Sequence, residues 1–354
     1  MAFSLIKYSS VNAKARALFG KLLTESDYRE LLGKNSVREV AAYLKKHAGY
    51  EAFLSEINEN TIHRAELEQE LKTSLYVDFI KLNRFLGGAA KEFLKAAFLR
   101  FEVEDLKMLF RIVYTGEGSG ILKNSLIFLK TYSKLSFEKL SASKDIPGAI
   151  EALRGSEYYK VLSPFLNVPN RQSLFDIEIT LDLHYFMKIL RLKEKLLSGR
   201  DRKSVIKTFG TEIDINNILM IYRCKRFFNM GKELTFKYVI PYWHHLTRNQ
   251  LVGLSESSDI NEFKIKVSKT VYAGIFKPDE ENLWEANSMH YMYRMYRNQL
   301  HQGSFNLGTV TAYLHLKEHD IRNIITLIEG IRYRLPKEEI RNYLIGQRSV
   351  LTSI

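Results

Sequence analysis

The sharpest chemical pattern in the sequence is His315-Leu-Lys-Glu318-His319. It matches H-x-x-E-H, in which two histidines on neighbouring helical turns hold zinc and a glutamate activates water. Such a centre needs a third ligand from another element. Only 35 residues follow His319, and the acidic candidates there are Glu329, Glu338 and Glu339. Gly116-Glu-Gly-Ser-Gly120 with Lys123 resembles a phosphate loop, but the spacing is not G-x-x-x-x-G-K-[ST] and a helical pattern precedes it. A helix-ending turn is the expected role. In Tyr242-Trp243-His244-His245 the adjacent histidines point to different faces and cannot clamp one metal. Cys224 sits between Arg223 and Lys225-Arg226, where cations favour a thiolate, yet no histidine base adjoins it. No catalytic, cofactor-binding or metal-binding residue is therefore assigned.

Three carboxylates, Asp105, Asp214 and Asp320, would form a cluster if their elements met around an axis. Each begins an apolar run of helical period, so each is expected to cap that helix, accepting free N–H groups and complementing the dipole. The basic side chains Arg223, Lys225, Arg226, Arg322, Arg332 and Arg334 surround the second and third of these runs. They are the candidate partner-binding residues, presenting positive charge to an acidic partner.

The elements that position these residues recur. Glu212-Ile-Asp214-Ile-Asn-Asn217-Ile218 and Glu318-His-Asp320-Ile-Arg-Asn323-Ile324 share E-x-D-I-x-N-I. Asp105-Leu-Lys-Met-Leu109-Phe110 is a third copy without the asparagine. The aspartates are 109 and 106 residues apart, and Tyr76, Tyr185 and Tyr291 each stand 29 residues before one of them. Tyr50 and Tyr159 precede the next landmark tyrosine by 26 residues, and Tyr272 precedes its own by 19. In this frame His315 and His319 correspond to Phe209 and Ile213, which bind no metal; the zinc pattern is a chance overlap with a structural repeat.

Each copy opens with a helix start at Asp27, Ser136 or Thr247, four residues before a leucine, and Leu335-Pro336 begins the pattern again near the C-terminus. Apolar residues recur at three and four, as in Leu71, Leu75, Phe79 and Leu82. Thr235–Ile240 is short enough to be a strand, but no alternating set sufficient for a sheet occurs. The expected fold is all-α: three similar helical domains of about five helices. They cover residues 1–118, 119–232 and 233–354, the last with a C-terminal helix that closes on the first repeat. Ser198–Lys203 is expected to be an exposed loop.

Composition narrows the function. The 53 lysines and arginines against 40 acidic residues give a net charge of +13, which favours nucleic acid, an anionic membrane or an acidic protein face. Basic residues among 20 tyrosines and 21 phenylalanines suit single-stranded nucleic acid, so a nucleic-acid-binding scaffold is the alternative. Several aromatics fall on repeat positions, which favours the core. One cysteine fits a reducing compartment. The N-terminus lacks the pattern of a signal peptide, and no run of 18 apolar residues is present.

The stretch from Leu316 through Arg341, with Glu318, Asp320, Asn323 and Leu335-Pro336, resembles the C-terminal signature of the central-stalk socket subunit of V-type and A-type rotary ATPases, which is named C in bacteria and archaea and d (AC39) in eukaryotes. The similarity continues at Asp214-Ile-Asn-Asn217-Ile218 through Arg223 and Lys225, and at Tyr8-Ser-Ser-Val11-Asn12-Ala13-Lys14-Ala15-Arg16. Lys14 stands where the family more often has arginine, and Val11-Asn12-Ala13 leans bacterial or archaeal. The resemblance implies three helical domains about a pseudo-threefold axis, forming a funnel. It implies a non-catalytic rotor subunit without cofactor, on the cytoplasmic face of the membrane. Its partners would be the central-shaft subunits and the proteolipid ring, not nucleic acid, and it would transmit torque for ATP-coupled H+ or Na+ transport.

Overall fold

The computed structural model describes residues 2–116, 126–167, 170–302 and 305–347. Among them every regular element is helical. The first seven helices are α1 (Ala2–Phe19), α2 (Glu25–Leu31), α3 (Val37–Lys46), α4 (Glu51–Leu54), α5 (Arg64–Arg84), α6 (Gly88–Phe98) and α7 (Arg100–Thr115). Then come α8 (Ile127–Thr131), α9 (Phe137–Ser141), α10 (Ile146–Ala152), α11 (Glu157–Leu162), α12 (Asn170–Leu196) and α13 (Gly199–Arg226). The chain continues through α14 (Lys232–Lys237), α15 (Arg248–Ser255), α16 (Ile260–Val267), α17 (Trp284–His301), α18 (Leu307–Arg332) and α19 (Lys337–Tyr343).

Local chemistry explains the short elements. Thr24 and Thr247 cap α2 and α15 with full capping boxes, closed by Asp27 and Gln250 at the third helical position. Ser136 caps α9. The opening of the first copy is thus Thr24, and Asp27 is its reciprocal partner rather than the cap. A second set of caps follows at Ser36, Asp145 and Asp259. Gly116 ends α7 in the left-handed conformation, φ 70°, as a helix-terminating residue. Gly118, Gly120 and Lys123 lie outside the described residues. Ser198–Lys203 is not a loop: Gly199 opens α13, and Asp201 lies in its first turn. Thr235–Ile240 is no strand but the end of α14 and the turn after it.

The chain packs into two compact units, one comprising Met1–Thr61, Asp78–Leu86 and Ser198–Ile354, the other Ile62–Val77 and Gly87–Leu197. In the first, the start of α13 is a junction. Asp201 accepts hydrogen bonds from the buried Tyr8 hydroxyl of α1 and, at 3.0 Å, from the Leu307 N–H at the start of α18. The apolar interior of this unit includes an aromatic cluster, with Trp284 packed against Phe276, Phe263 and Tyr222. Helices α13 and α18 run side by side in the same sense. Ser204 bonds Gln299 beside Gly308, and farther along Phe209 meets His315 edge-on. In the second unit Tyr76 is the hub of an aromatic cluster with Phe98, Phe101, Phe128 and Tyr132.

Helix α19 follows α18 as α14 follows α13, and its Ile340 is seated on Gly330 of α18. A Cβ at Gly330 would stand 2.5 Å from the Ile340 side chain. Gly330→Leu should therefore overpack this contact and destabilise the unit by about 1–3 kcal/mol, read as a lower urea midpoint with an unchanged slope.

Candidate functional site

The three aspartates do not begin helices. Asp105, Asp214 and Asp320 stand inside α7, α13 and α18. Apolar periodicity does not stop at them because a carboxylate inside a helix leaves the ladder intact. The free N–H groups that they satisfy belong to other segments. Asp214 accepts the N–H groups of His244, His245 and Leu246 at 3.0, 2.7 and 3.1 Å, just ahead of α15, and the Tyr272 hydroxyl at 2.8 Å. Asp320 accepts the Leu23 N–H at 3.4 Å, just ahead of α2, and the hydroxyls of Tyr28 and Tyr50 at 2.5 and 2.7 Å. Asp105 takes the Leu129 N–H at 3.0 Å and the Phe128 N–H, the third and second residues of α8, whose own preceding residue provides no side-chain cap. Only Asp105 thus caps a helix, and not its own; Asp214 and Asp320 instead hold the segments just ahead of α15 and α2, whose caps are Thr247 and Thr24.

One turn beyond each of two aspartates, an asparagine makes the complementary clasp. Asn217 exchanges hydrogen bonds with the Ile240 main chain at 3.0 and 2.8 Å, and Asn323 does the same with Ile345 at 2.8 and 2.7 Å. Asp–x–x–Asn thus presents two polar side chains on one helical face, each gripping a different part of the chain. In the first copy the asparagine position is Met108, which is exposed. The tyrosine partner is also displaced there. Tyr159 donates to Glu151, while its neighbour Tyr158 reaches the buried Glu102 at 2.7 Å, about one turn before Asp105.

Electrostatics differ among the three anchors. Asp320 is fully enclosed, and burial raises its carboxyl against the opposing pull of Lys317 and the two tyrosine hydroxyls. Lys317 is itself buried, its ammonium 3.5 Å from the centroid of Tyr50, and desolvation pushes it down to about 8 despite Asp320 and Asp78. Asp78 in turn accepts the Tyr313 hydroxyl at 2.6 Å. Asp105 is pushed up to about 7 by burial, which outweighs the pull of its two N–H donors and of Lys72.

The six basic candidates are not brought together as one set. Arg223 pairs with Glu285 at 2.6 Å, Arg226 with Glu281 at 3.2 Å, and Lys225 donates to the Ser257 carbonyl at 2.6 Å. Arg322 lies 3.9 Å from Glu318, and Arg332 is 3.0 Å from Glu329. Arg334 is exposed in a left-handed turn, φ 55°. Cys224 is buried and its thiol is raised to about 11 by desolvation, so the flanking cations do not make it a thiolate. His315 stacks on Tyr296 at 4.3 Å, and His319 lies against the same ring. Among the described residues no three histidine, cysteine or acidic side chains converge as a metal site. Asp201 was legible only as a charge in an apparent loop, and nothing in the sequence around Tyr8 signals that the two pair.

These features define a helical protein whose polar groups organise its own backbone. Residues 11–343 match the ATP synthase (C/AC39) subunit family. The chain belongs to this family, whose members are non-catalytic subunits of the complex. It is 26% identical to the C subunit of the A-type ATP synthase of Methanosphaera stadtmanae over 96% of this chain and 88% of that protein. It is 25% identical to the C subunit of the A-type ATP synthase of Methanocaldococcus jannaschii over 98% of this chain and 88% of that protein. No helix among the described residues is long and apolar enough to cross a membrane.

Two measurements test the anchors. Asp214→Ala leaves three main-chain N–H groups bare, each worth about 1–3 kcal/mol, and should lower unfolding stability by at least about 3 kcal/mol. Hydrogen exchange should rise first at residues 244–246. For Asp105, the native state retains near pH 7 a proton that the unfolded chain releases near its ordinary value of about 3.9. The native state therefore binds more protons across that window, and this residue's contribution to stability falls as pH rises from about 4 to 7. Asp105→Asn should flatten that part of the pH profile; an unchanged slope would locate the titration elsewhere.

Proposed function

We propose that the chain is a rotor subunit of a V-type or A-type rotary ATPase, seating the central shaft on the membrane proteolipid ring. In this role it transmits torque for ATP-coupled H+ or Na+ transport. The family match over residues 11–343 carries the proposal, and relatives that bear the name of the C subunit of A-type ATP synthase support it along nearly their whole length. The protein would sit peripherally on the cytoplasmic face, held there by shaft and ring.

Physical requirements agree with this role. An adaptor between a shaft and a ring of many subunits must keep its shape under load. Each anchor described above fixes a segment at, or just ahead of, a short helix to the inside of a longer one, so twisting either segment strains a carboxylate contact. The recurrence of these anchors supports the arrangement of repeats 1–118, 119–232 and 233–354 about a pseudo-threefold axis as a funnel. The positive charge suits steering toward acidic subunits.

Purification of the detergent-solubilised ATPase should recover this chain in stoichiometric amount, and its deletion should separate head from membrane sector and abolish ATP-driven ion pumping. Combined reversal of Arg223, Arg226, Arg332 and Arg334 to glutamate should release shaft subunits at moderate salt. An intact, coupled complex in the deletion strain refutes the proposal, as does exclusive association of the chain with nucleic acid.

A further inference from the structure

Asp214 and Asp320 make equivalent joints, each holding the segment ahead of a short helix to the inside of a long one, yet one position beside them differs in kind. Three residues before Asp214 stands Thr211, a buried neutral hydroxyl that donates to the Lys207 carbonyl at 2.8 Å and faces Tyr272. Three residues before Asp320 stands Lys317, which is 1% exposed. A repeat that keeps aspartate, asparagine and tyrosine places an ammonium where its other copy has a hydroxyl.

The surroundings of that ammonium hold it weakly. It lies 3.5 Å from the centroid of Tyr50. The carboxylates that act on it through space are engaged elsewhere, Asp320 with Leu23, Tyr28 and Tyr50, and Asp78 of α5 with Tyr313 at 2.6 Å and Lys81 at 3.5 Å. A lysine removed from water gives up its proton more readily than a hydrated one. Burial accordingly lowers Lys317 to about 8 against the pull of Asp320 and Asp78, and Lys81 adds to the fall. The tyrosines around the joint, Tyr28, Tyr50, Tyr293 and Tyr313, are all held above the usual phenol range by burial and keep their protons.

We infer that the joint between α18 and residues 23–50 is a proton-sensitive clasp, firmer when Lys317 is neutral and looser when it is charged, whereas the Asp214 joint carries no such sensor. Releasing the segment would return Lys317 to water, where it takes up a proton near its ordinary value of about 10.4. Between about 8 and 10 the open state therefore binds more protons than the closed one, and opening becomes harder as pH rises. Asp320 works in the opposite sense. Its carboxyl is raised in the closed joint, so opening would release a proton and become easier as pH rises. Only the lysine gives a clasp that tightens toward alkaline pH and eases toward neutrality, so the hold on the helices near the N-terminus follows the proton concentration around the protein.

Hydrogen exchange of the full chain, corrected for the intrinsic pH dependence of exchange, reads both joints at once. The opening constant at residues 23–28 should fall about five- to tenfold between about pH 7.5 and about pH 9, with no such fall at residues 244–248. Lys317→Met should abolish the fall and leave residues 23–28 at least as protected at the lower pH as in the unaltered protein. If that variant does not fold, Lys317→Thr, which copies the Asp214 joint, takes its place, and the comparison of the two joints in the unaltered protein needs no variant. An equal fall at both joints, a fall that persists in a neutral variant, or constant opening at residues 23–28 overturns the clasp.

Discussion

A carboxylate in the middle of one helix that satisfies main-chain N–H groups at, or just ahead of, the start of another is the interaction on which this structure depends. Buried N–H groups require acceptors, and a helix start exposes several at once. A local cap serves one or two of them. Asp214 serves three from the non-helical segment just ahead of α15, and Tyr272 completes its coordination. Asp320 repeats the device across almost the whole sequence, holding Leu23, Tyr28 and Tyr50. The paired asparagines then fix the path of the chain beyond each long helix. Without these contacts the short helices would have little to orient them, since isolated helices of five to eight residues are unstable in water.

The three anchors are graded. Those on α13 and α18 combine carboxylate, asparagine and tyrosine. The one on α7 retains the carboxylate alone and caps α8 directly. That unit compensates with contacts of its own, including Glu102 with Tyr158 and Lys107 with Asp182 at 3.0 Å. Fewer donors around a buried carboxylate leave its desolvation less opposed, which is why Asp105 titrates near neutrality. Around Asp320 burial raises the carboxyl as well, but Lys317 and the two tyrosine hydroxyls oppose it.

The histidines that suggested chemistry take part in packing and main-chain contacts. His315 lies on Tyr296 and against Phe209, its own repeat counterpart, so the two equivalent positions meet where α13 and α18 run together. The histidine pair His244-His245 contributes main-chain donors to Asp214, and His244 rests on Gly210, where a Cβ would come within 2.6 Å of its ring. A non-catalytic family is consistent with these assignments, since the histidines serve the fold.

Much of this was determined by the sequence itself. Apolar period dictates helices, because only one face of each can be buried, and the recurrence of Asp, Asn and Tyr at fixed spacing exposed the repeat. The signature around Asp214 and Asp320 carried the family resemblance. Local sequence also suffices for Thr247 and Ser136, since a cap and its donors lie within three residues. Tertiary structure alone decided which N–H groups the aspartates accept. An aspartate followed by apolar residues looks the same whether it caps its own helix or another one, and the distance from Asp320 to Leu23 leaves no periodic trace. The same limit hid Asp201, whose partners Tyr8 and Leu307 come from both ends of the chain, and the pairing of Arg223 with Glu285. Hydrogen bonds between distant segments depend on how the helices pack, and only the packed fold specifies that.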